Sequence, residues 1–573
     1  MVYWNSVFTN SLWVTGLAIV LTVFSFATYQ ADKTHSGMRA VLSGIASSGW
    51  TRLGACLFCA GMALTGVTAL EQFLWGALFV CAGIDWIRLA RKKRARRIQG
   101  TGDTGPTDAS YLPPPEESKP AAAGPRGVRL VAEWIVRLEL LWLLLASPVF
   151  LFPQPGCLAL LALAALPSIW VARRVARGRF IPRTPLDWPI CLLLVMVLVS
   201  ALVTFDLSYS LHRITVLLFS VGLFYAIVDW AITPRRIGWV MGVYVLLGFG
   251  FSLLGLLGVN WTRLLGEGFA NKLFPMLGQF RGEIPPLLRG LPDAHRWLHP
   301  NEVGGALLWV VPLQFALLIW CWSARFGTAY WRWLVRIVVL PMTFLTGATM
   351  VMSQARGVLA GFVIGMALLA WMLSTRWLRI ALAALALVAL GALLYLGPQR
   401  LAEDFTPGDS GLGFGLSLLD SERSLEGRVL IWSRAIYAIE DFPLTGIGLD
   451  TFRFIQPSLY PIDQSLDTNT SHPHNQFLGA ALELGLPGLV GFLALWMVAS
   501  GLVAQLWRAA RTARNRWARF ASAGIGACLL AYFIYALTDV VSLGDRPGVL
   551  FWSLLGLLVV AWRQTRQQAS MAA

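Results

Sequence analysis

Uncharged apolar runs recur along almost the whole chain, from Leu12 to Ala561. Many exceed about 18 residues, enough to cross a hydrocarbon layer roughly 30 Å thick. Segments immersed in lipid must satisfy their own backbone hydrogen bonds, which leaves helices as the natural spanning element for such runs. Only 13% of the residues are charged and 57% are hydrophobic, with a mean hydropathy of +0.64. A soluble domain carries about 25% charged residues. The expected fold class is an all-α polytopic membrane protein. The formal charge of +16 is read as topology, because cytoplasmic loops collect Lys and Arg. The basic runs flank spans and have no folded domain beside them, so no nucleic-acid partner is expected. Cys56 and Cys59 form a CxxC inside an apolar helix and read as small core residues. The first run, Leu12 to Ala27, lacks a basic n-region, so no cleavable signal peptide is expected.

About fifteen spans are expected in all. Three come first, near 11–29, 52–70 and 73–90, and end in RLARKKRARR, seven basic residues without an acid. The following Gly-, Pro- and Ala-rich stretch reads as a flexible cytoplasmic linker. The organisation is thus a three-span N-terminal membrane module at 1–98, a linker at 99–128 and a main core at 129–573 of about twelve spans. Core spans are expected near 138–153, 157–172, 187–205, 211–231, 237–258, 302–320, 337–352, 358–374, 380–397, 476–500, 521–541 and 548–562. Basic clusters at 173–179, 235–236, 324–336, 375–379, 508–519 and 563–566 fall at every second loop. That side is cytoplasmic by the positive-inside trend. The N-terminus is then outside and the C-terminus inside.

Two large loops, 259–300 and 398–475, lie on the outer face. The second holds eleven acidic residues against five arginines, a net charge of −6. Within it, Gly427 to Ile439 reads as an amphipathic helix with Val429, Trp432, Ala435, Ile436 and Ile439 on one stripe, suited to lying along the membrane surface. The stretch from Ser471 to Gly488, SHPHNQFLGAALELGLPG, closes this loop and opens an apolar helix. His474, Asn475, Leu478 and Gly485 form the pattern HNxxLxxxxxxG, which sets a titratable imidazole where water meets membrane. Arg213, Arg356 and Arg428 also fall on the outer face, against the positive-inside trend. A guanidinium there needs a partner, and a diphosphate is a good one because Arg binds phosphate oxygens bidentately. Other readings stay open. Arg213 and Arg356 also fit helix-end residues reaching the headgroups, and Arg428 fits a pair with Glu426. His212 fits an interfacial residue. His472, followed by Pro473, fits a turn-shaping role. Asn301 fits a helix cap as well as a ligand, and Arg281 and Arg289 are weaker candidates.

Four segments in this order and placement carry a resemblance. They are HPNEVGGALLWVVPL at 299–313, SQARG at 353–357, GRVLIWSRAIYAIEDFPLTGIGLDTFR at 427–453 and HNQFLGAALELGLPGLVGF at 474–492. Over about residues 130–565 the chain resembles the O-antigen ligase / O-antigen polymerase superfamily, bacterial envelope glycosyltransferases acting on undecaprenyl-diphosphate-linked glycans. The resemblance implies a twelve-span core with a large periplasmic loop in the inner membrane. It implies Arg356 and Arg428, with Arg213 behind them, as diphosphate ligands. His474 becomes the base, with His472, Asn475, Asn301 and Arg289 as supporting candidates. The N-terminal three spans depart from the family pattern.

The expected reaction is inverting transfer of a glycan from the lipid diphosphate to an acceptor on the periplasmic face. No cofactor and no metal are expected, since the loop acids are dispersed and arginines can neutralise the leaving diphosphate. A neutral imidazole with an intrinsic pKa near 6.5 can take the acceptor proton. The first choice of acceptor is lipid A–core, which makes the chain a ligase. A second lipid-linked glycan (a polymerase) and a protein hydroxyl (a protein O-oligosaccharyltransferase) are the rivals within the family. A small-solute, bicarbonate-like transporter is the rival of another class. It predicts ionisable groups near the midplane or broken helices in repeated halves.

Overall fold

The computed structural model describes residues 4–66, 68–98, 126–151, 156–259, 299–323, 327–384, 387–388, 391, 419–462, 472–540 and 543–572. Among them every regular element is helical, as the apolar runs predict. The N-terminal helices are α1 (Trp4–Lys33), α2 (Met38–Ser47), α3 (Gly49–Thr65) and α4 (Ala69–Ile98). The next six are α5 (Arg126–Arg137), α6 (Glu139–Leu151), α7 (Gly156–Arg177), α8 (Asp187–Val203), α9 (Leu207–Trp230) and α10 (Pro234–Gly258). After the first large loop come α11 (Pro300–Leu307), α12 (Val311–Ser323), α13 (Ala329–Met352) and α14 (Arg356–Leu373). The last five are α15 (Leu419–Asp441), α16 (Phe452–Leu459), α17 (Gln476–Thr512), α18 (Arg516–Ala536) and α19 (Gly548–Ala572).

Among the described residues ten helical spans are long and apolar enough to cross a membrane, α11 and α12 together making one of them, or eleven if the bent pair α5–α6 counts as one span. That is fewer than the fifteen expected, for local reasons. The run 52–70 stops at Thr65, and α3 has 17 residues. The run 187–205 folds as α8, also 17 residues. The run 138–153 is turned by 64° from α5. Most of 380–397 lies outside the described residues.

The middle of the bundle is α9, α17, α18 and α19 with the consecutive helices α11 and α12, all mostly buried. Trp309 stacks on Tyr532 at 3.9 Å, and Trp496 and Phe551 close the same aromatic cluster. In lipid such packing rests on close contact rather than on hydrophobic drive, so small residues sit where backbones meet. A Cβ on Gly361 of α14 would come 2.3 Å from the Ala531 carbonyl of α18. Exposed Leu, Val, Phe and Trp side chains cover α4, α10 and α13, the face a membrane protein offers to acyl chains. At the end opposite the loops, Arg173 is buried between Glu139 and Asp229, and Arg177 also pairs with Asp229. Burying these charges is affordable only because each has an opposite partner.

The linker at 99–125 lies outside the described residues. N-terminal to it, α1 packs directly on the core: Val14 and Ala18 meet Val490 and Ala494, and Ser25 Oγ donates to the Pro185 carbonyl at 2.5 Å.

The amphipathic stretch of the second loop is a helix, and α15 begins eight residues earlier than its Gly427 start. Part of its apolar face is taken up by the protein itself. Ile431, Ala435 and Ala438 pack on Leu482 of α17, with Ile447 and Phe452. The following turn, PLTGIG at 443–448, docks where α17 breaks. Gly485 sits at φ 69°, ψ 174°, outside helical space. There Leu486 N donates to Pro443 O at 2.7 Å and Ile447 N to Leu482 O at 2.8 Å, so the freed backbone groups stay bonded. The same turn is held from its other side, where Leu449 N donates to Ser200 Oγ and Ser210 Oγ to Leu449 O.

Gly485→Ala is expected to lower stability. Its φ/ψ region is essentially reserved for glycine and costs on the order of 1–3 kcal/mol otherwise. The added Cβ would also lie 2.5 Å from the Leu444 carbonyl oxygen. A thermal midpoint in detergent equal to that of the parent protein would show that the break tolerates a side chain.

Candidate active site

Four parts of the chain meet at the loop end of the bundle: the start of α17, residues 537–540 and 543–547 between α18 and α19, the start of α11 and the 443–451 turn. Asn475 is the N-cap of α17, its Oδ1 accepting from the amides of Phe477 and Leu478. Its side-chain amide also donates to Leu537 O at 3.1 Å, which staples α17 to the 537–540 segment. A cap satisfies donors the helix leaves open, so the Asn of the HN pair is structural. Immediately before it, His474 holds a left-handed backbone, φ 46°. Non-glycine residues in that region cluster at functional sites. The left-handed step turns both imidazoles of the HPH sequence toward one carboxylate.

That carboxylate is Asp539. His472 Nε2 lies 3.1 Å and His474 Nδ1 lies 3.3 Å from the same Asp539 oxygen. Val540 N donates to it at 2.9 Å, and Asn301 Nδ2 donates to the other oxygen at 3.0 Å. The Asn301 carbonyl in turn accepts from Tyr535 Oη at 2.9 Å. Burial pushes the Asp539 pKa up, but the hydrogen bonds from the two imidazoles outweigh it and hold the carboxyl well below its usual range. An ionised carboxylate only accepts. Donation from both imidazoles to this oxygen would place protons on the facing nitrogens, His472 Nε2 and His474 Nδ1. In its neutral form His474 would then carry its lone pair on Nε2.

A second cluster lies beside the first. Arg213, near the start of α9, points Nη2 at Asp450 (3.2 Å) and Asp545 (3.3 Å), with Glu483 at 3.9 Å from Nη1. Arg453 donates to Asp450 at 2.7 Å. Asp450 has φ 60°, and its N–H donates to Glu483. Burial raises the Asp545 pKa against the opposing pull of Arg213. Burial lowers that of Arg546, with Glu302 and Asp545 opposing. Arg213, expected on a diphosphate, is thus already faced by three carboxylates. Its place is inside the protein's own ion network.

The remaining expected residues are spread more widely. Arg356 opens α14, and its neighbour Gly357 abuts Thr538, the residue before Asp539, where a Cβ would meet Thr538 Oγ1 at 2.2 Å. Arg428 is half-buried on α15. His299 rather than Asn301 caps α11, its Nδ1 accepting from Asn301 N at 3.2 Å. Arg281 and Arg289 lie outside the described residues. Sequence reasoning missed Asp539, Asp545, Asp450 and Glu483. Two of these carried a visible signal, because Asp539 and Glu483 are acids inside apolar runs, where ionisable groups are costly and mark function.

Residues 341–493 match the O-antigen ligase family. This O-antigen ligase domain supports membership of the O-antigen ligase superfamily. No match was found among curated proteins. The matched segment runs from the middle of α13 into α17. It contains Arg356, Arg428, Asp450, His472, His474 and Glu483, and it stops before Asp539 and Asp545. The ligase-family segment thus supplies the imidazoles, and the chain beyond it supplies the carboxylate that holds them.

Removing Arg213 should destabilise the protein rather than merely weaken ligand binding. Arg213→Ala would leave buried Glu483 and half-buried Asp545 without their cation and Asp450 with Arg453 alone, a loss of up to about 3–5 kcal/mol, as for a broken buried pair. Arg213→Lys should recover part of it, since the charge stays and the planar fork goes. Detergent thermal midpoints check this. An unchanged midpoint with weakened diphosphate binding would instead make Arg213 a ligand.

Proposed function

We propose that the protein moves a glycan from an undecaprenyl diphosphate carrier to an acceptor hydroxyl on the periplasmic side of the bacterial inner membrane. The acceptor we assign is lipid A–core, which makes the activity that of an O-antigen ligase. The reading rests on one observation above the rest. An imidazole at the mouth of an O-antigen ligase segment lies with Nδ1 3.3 Å from a buried carboxylate. The basic clusters lie at the opposite ends of the spans, in keeping with a cytoplasmic side there and a periplasmic mouth.

In this proposal the acceptor hydroxyl attacks the anomeric carbon as its proton passes to His474 Nε2. Asp539 keeps Nδ1–H in place and stabilises the imidazolium that results. The bond between the anomeric carbon and the diphosphate oxygen breaks on the opposite face, so the centre inverts. Charge that develops on the leaving diphosphate is met by the guanidinium groups of Arg356 and Arg428, and the reaction is metal-independent. Arg213 serves as a positioning residue, holding Asp450 and Asp545 beside the site, and Asn301 fixes the second oxygen of Asp539.

His474→Ala should fold and insert but lose transfer by roughly 10²–10⁴-fold, the usual contribution of a general base. Arg356→Lys and Arg428→Lys should each cost about ten- to hundredfold, as loss of a charged hydrogen bond predicts. An in vitro assay with undecaprenyl-diphosphate-linked glycan reads both. Full turnover of His474→Ala would sink the base assignment. The glycolipid profile of a deletion strain reads the acceptor. Loss of polymer from lipid A supports the ligase, whereas shortened chains or lost glycoprotein point to a polymerase or a protein O-oligosaccharyltransferase.

A further inference from the structure

The His472–His474–Asp539 cluster has a geometry that hydrogen bonding to one carboxylate does not require. The three ligating atoms lie within 4.8 Å of one another. The two nitrogens stand 3.1 and 3.3 Å from one Asp539 oxygen. Around a tetrahedral ion with bonds of about 2.0–2.2 Å, neighbouring ligand atoms sit roughly 3.3–3.5 Å apart. Two imidazoles and a carboxylate are a donor set that suits zinc, and three protein ligands leave a fourth position open. The outer shell is present too. Asn301 donates to the Asp539 oxygen that does not face the histidines, and Tyr535 anchors the Asn301 carbonyl. Such partners orient metal-binding carboxylates and imidazoles. Side-chain exposures of 18% for His472 and 14% for His474 leave a path from solvent.

We infer that His472, His474 and Asp539 form a binding site for a divalent ion of zinc type, and that its occupancy switches off the base proposed above. The second part rests on the transferase reading. The reason is a tautomer exclusion. With Nδ1–H on Asp539, neutral His474 carries its lone pair on Nε2 and can take a proton there. A metal ion bound at Nδ1 uses that nitrogen's lone pair. The single proton of the neutral ring then resides on Nε2, so the ring has no basic nitrogen to offer. His472 undergoes the mirror exchange, with metal at Nε2 and the proton at Nδ1. No net proton is gained or lost by either ring, and Asp539 changes from hydrogen-bond acceptor to ligand. Base and metal ligand are therefore mutually exclusive states of one imidazole.

The test uses the full chain in detergent, with its affinity tag removed and metals stripped by EDTA. Titration with Zn²⁺ by calorimetry should show one tight equivalent, and Co²⁺ should give the visible absorption of a four-coordinate ion. His472→Ala should abolish the tight equivalent. Asn301→Ala, which keeps all three ligands, should weaken it about 10–100-fold. In the transfer assay one equivalent of Zn²⁺ should lower parent turnover at least tenfold, with recovery on adding EDTA. Whatever turnover His472→Ala retains should be insensitive to zinc at that level. Absence of a tight equivalent, its survival in His472→Ala, or undiminished transfer with the site filled would each overturn the inference. A protein that shows no transfer even without zinc would instead refute the transferase reading. The metal site then stands if the zinc equivalent is lost in His472→Ala, and falls if it is not.

Discussion

A helix that breaks at membrane depth frees backbone N–H and C=O groups, and the protein itself must bond them. At Gly485 the PLTGIG turn meets that demand through Leu486 N and Leu482 O. Much of the mouth follows from that docking. It seats Glu483, just ahead of the break, beside the Asp450 amide, and it carries Asp450 to Arg213. It also draws α15, which bears Arg428, down onto α17. A region of the chain that looks like an extramembrane loop is thus anchored into the bundle by backbone hydrogen bonds, with side-chain packing of Ile431, Ala435 and Leu482 around them.

Electrostatics divides the mouth into two parts with different work. The Arg213 network concentrates carboxylates around one guanidinium, an arrangement that an anionic substrate would have to displace. The Asp539 network does the opposite. It gathers four N–H donors, two of them imidazole, on one buried carboxylate, and its cost of burial is offset by those bonds. These contacts orient His474, and the proposed mechanism places its ring proton on Nδ1. The proposed mechanism therefore gives the diphosphate to Arg356, at the head of α14, and Arg428, on α15.

The same construction explains why chemistry and stability are hard to separate here. Asn475 caps α17 and also ties it to Leu537, two residues before Asp539. Gly357, next to Arg356, leaves room for Thr538, one residue before it. Changes at these positions shift the carboxylate and the imidazoles together.

Much was legible in the chain itself. Apolar runs of bilayer length dictated helices, because lipid admits few other backbone solutions. The alternation of basic loops dictated which helix ends share a side. HNxxLxxxxxxG marked an interfacial imidazole, and its glycine proved to be a backbone necessity. Only the tertiary structure decided the partners. Asp539 lies 65 residues beyond His474, and Asp545 lies farther from Arg213 still. Nothing periodic connects residues at such separations. What joins them is the antiparallel return of α17, α18 and α19, which brings the end of one helix to the beginning of another. Tertiary contact also decided that Arg213 faces carboxylates, that Asn475 is a cap, and that α1 packs on the core. Side-chain charge and span position set where an arginine or an acid comes to rest along the membrane normal. Which opposite charge it meets there depends on how the helices are arranged around one another, and that is a property of packing.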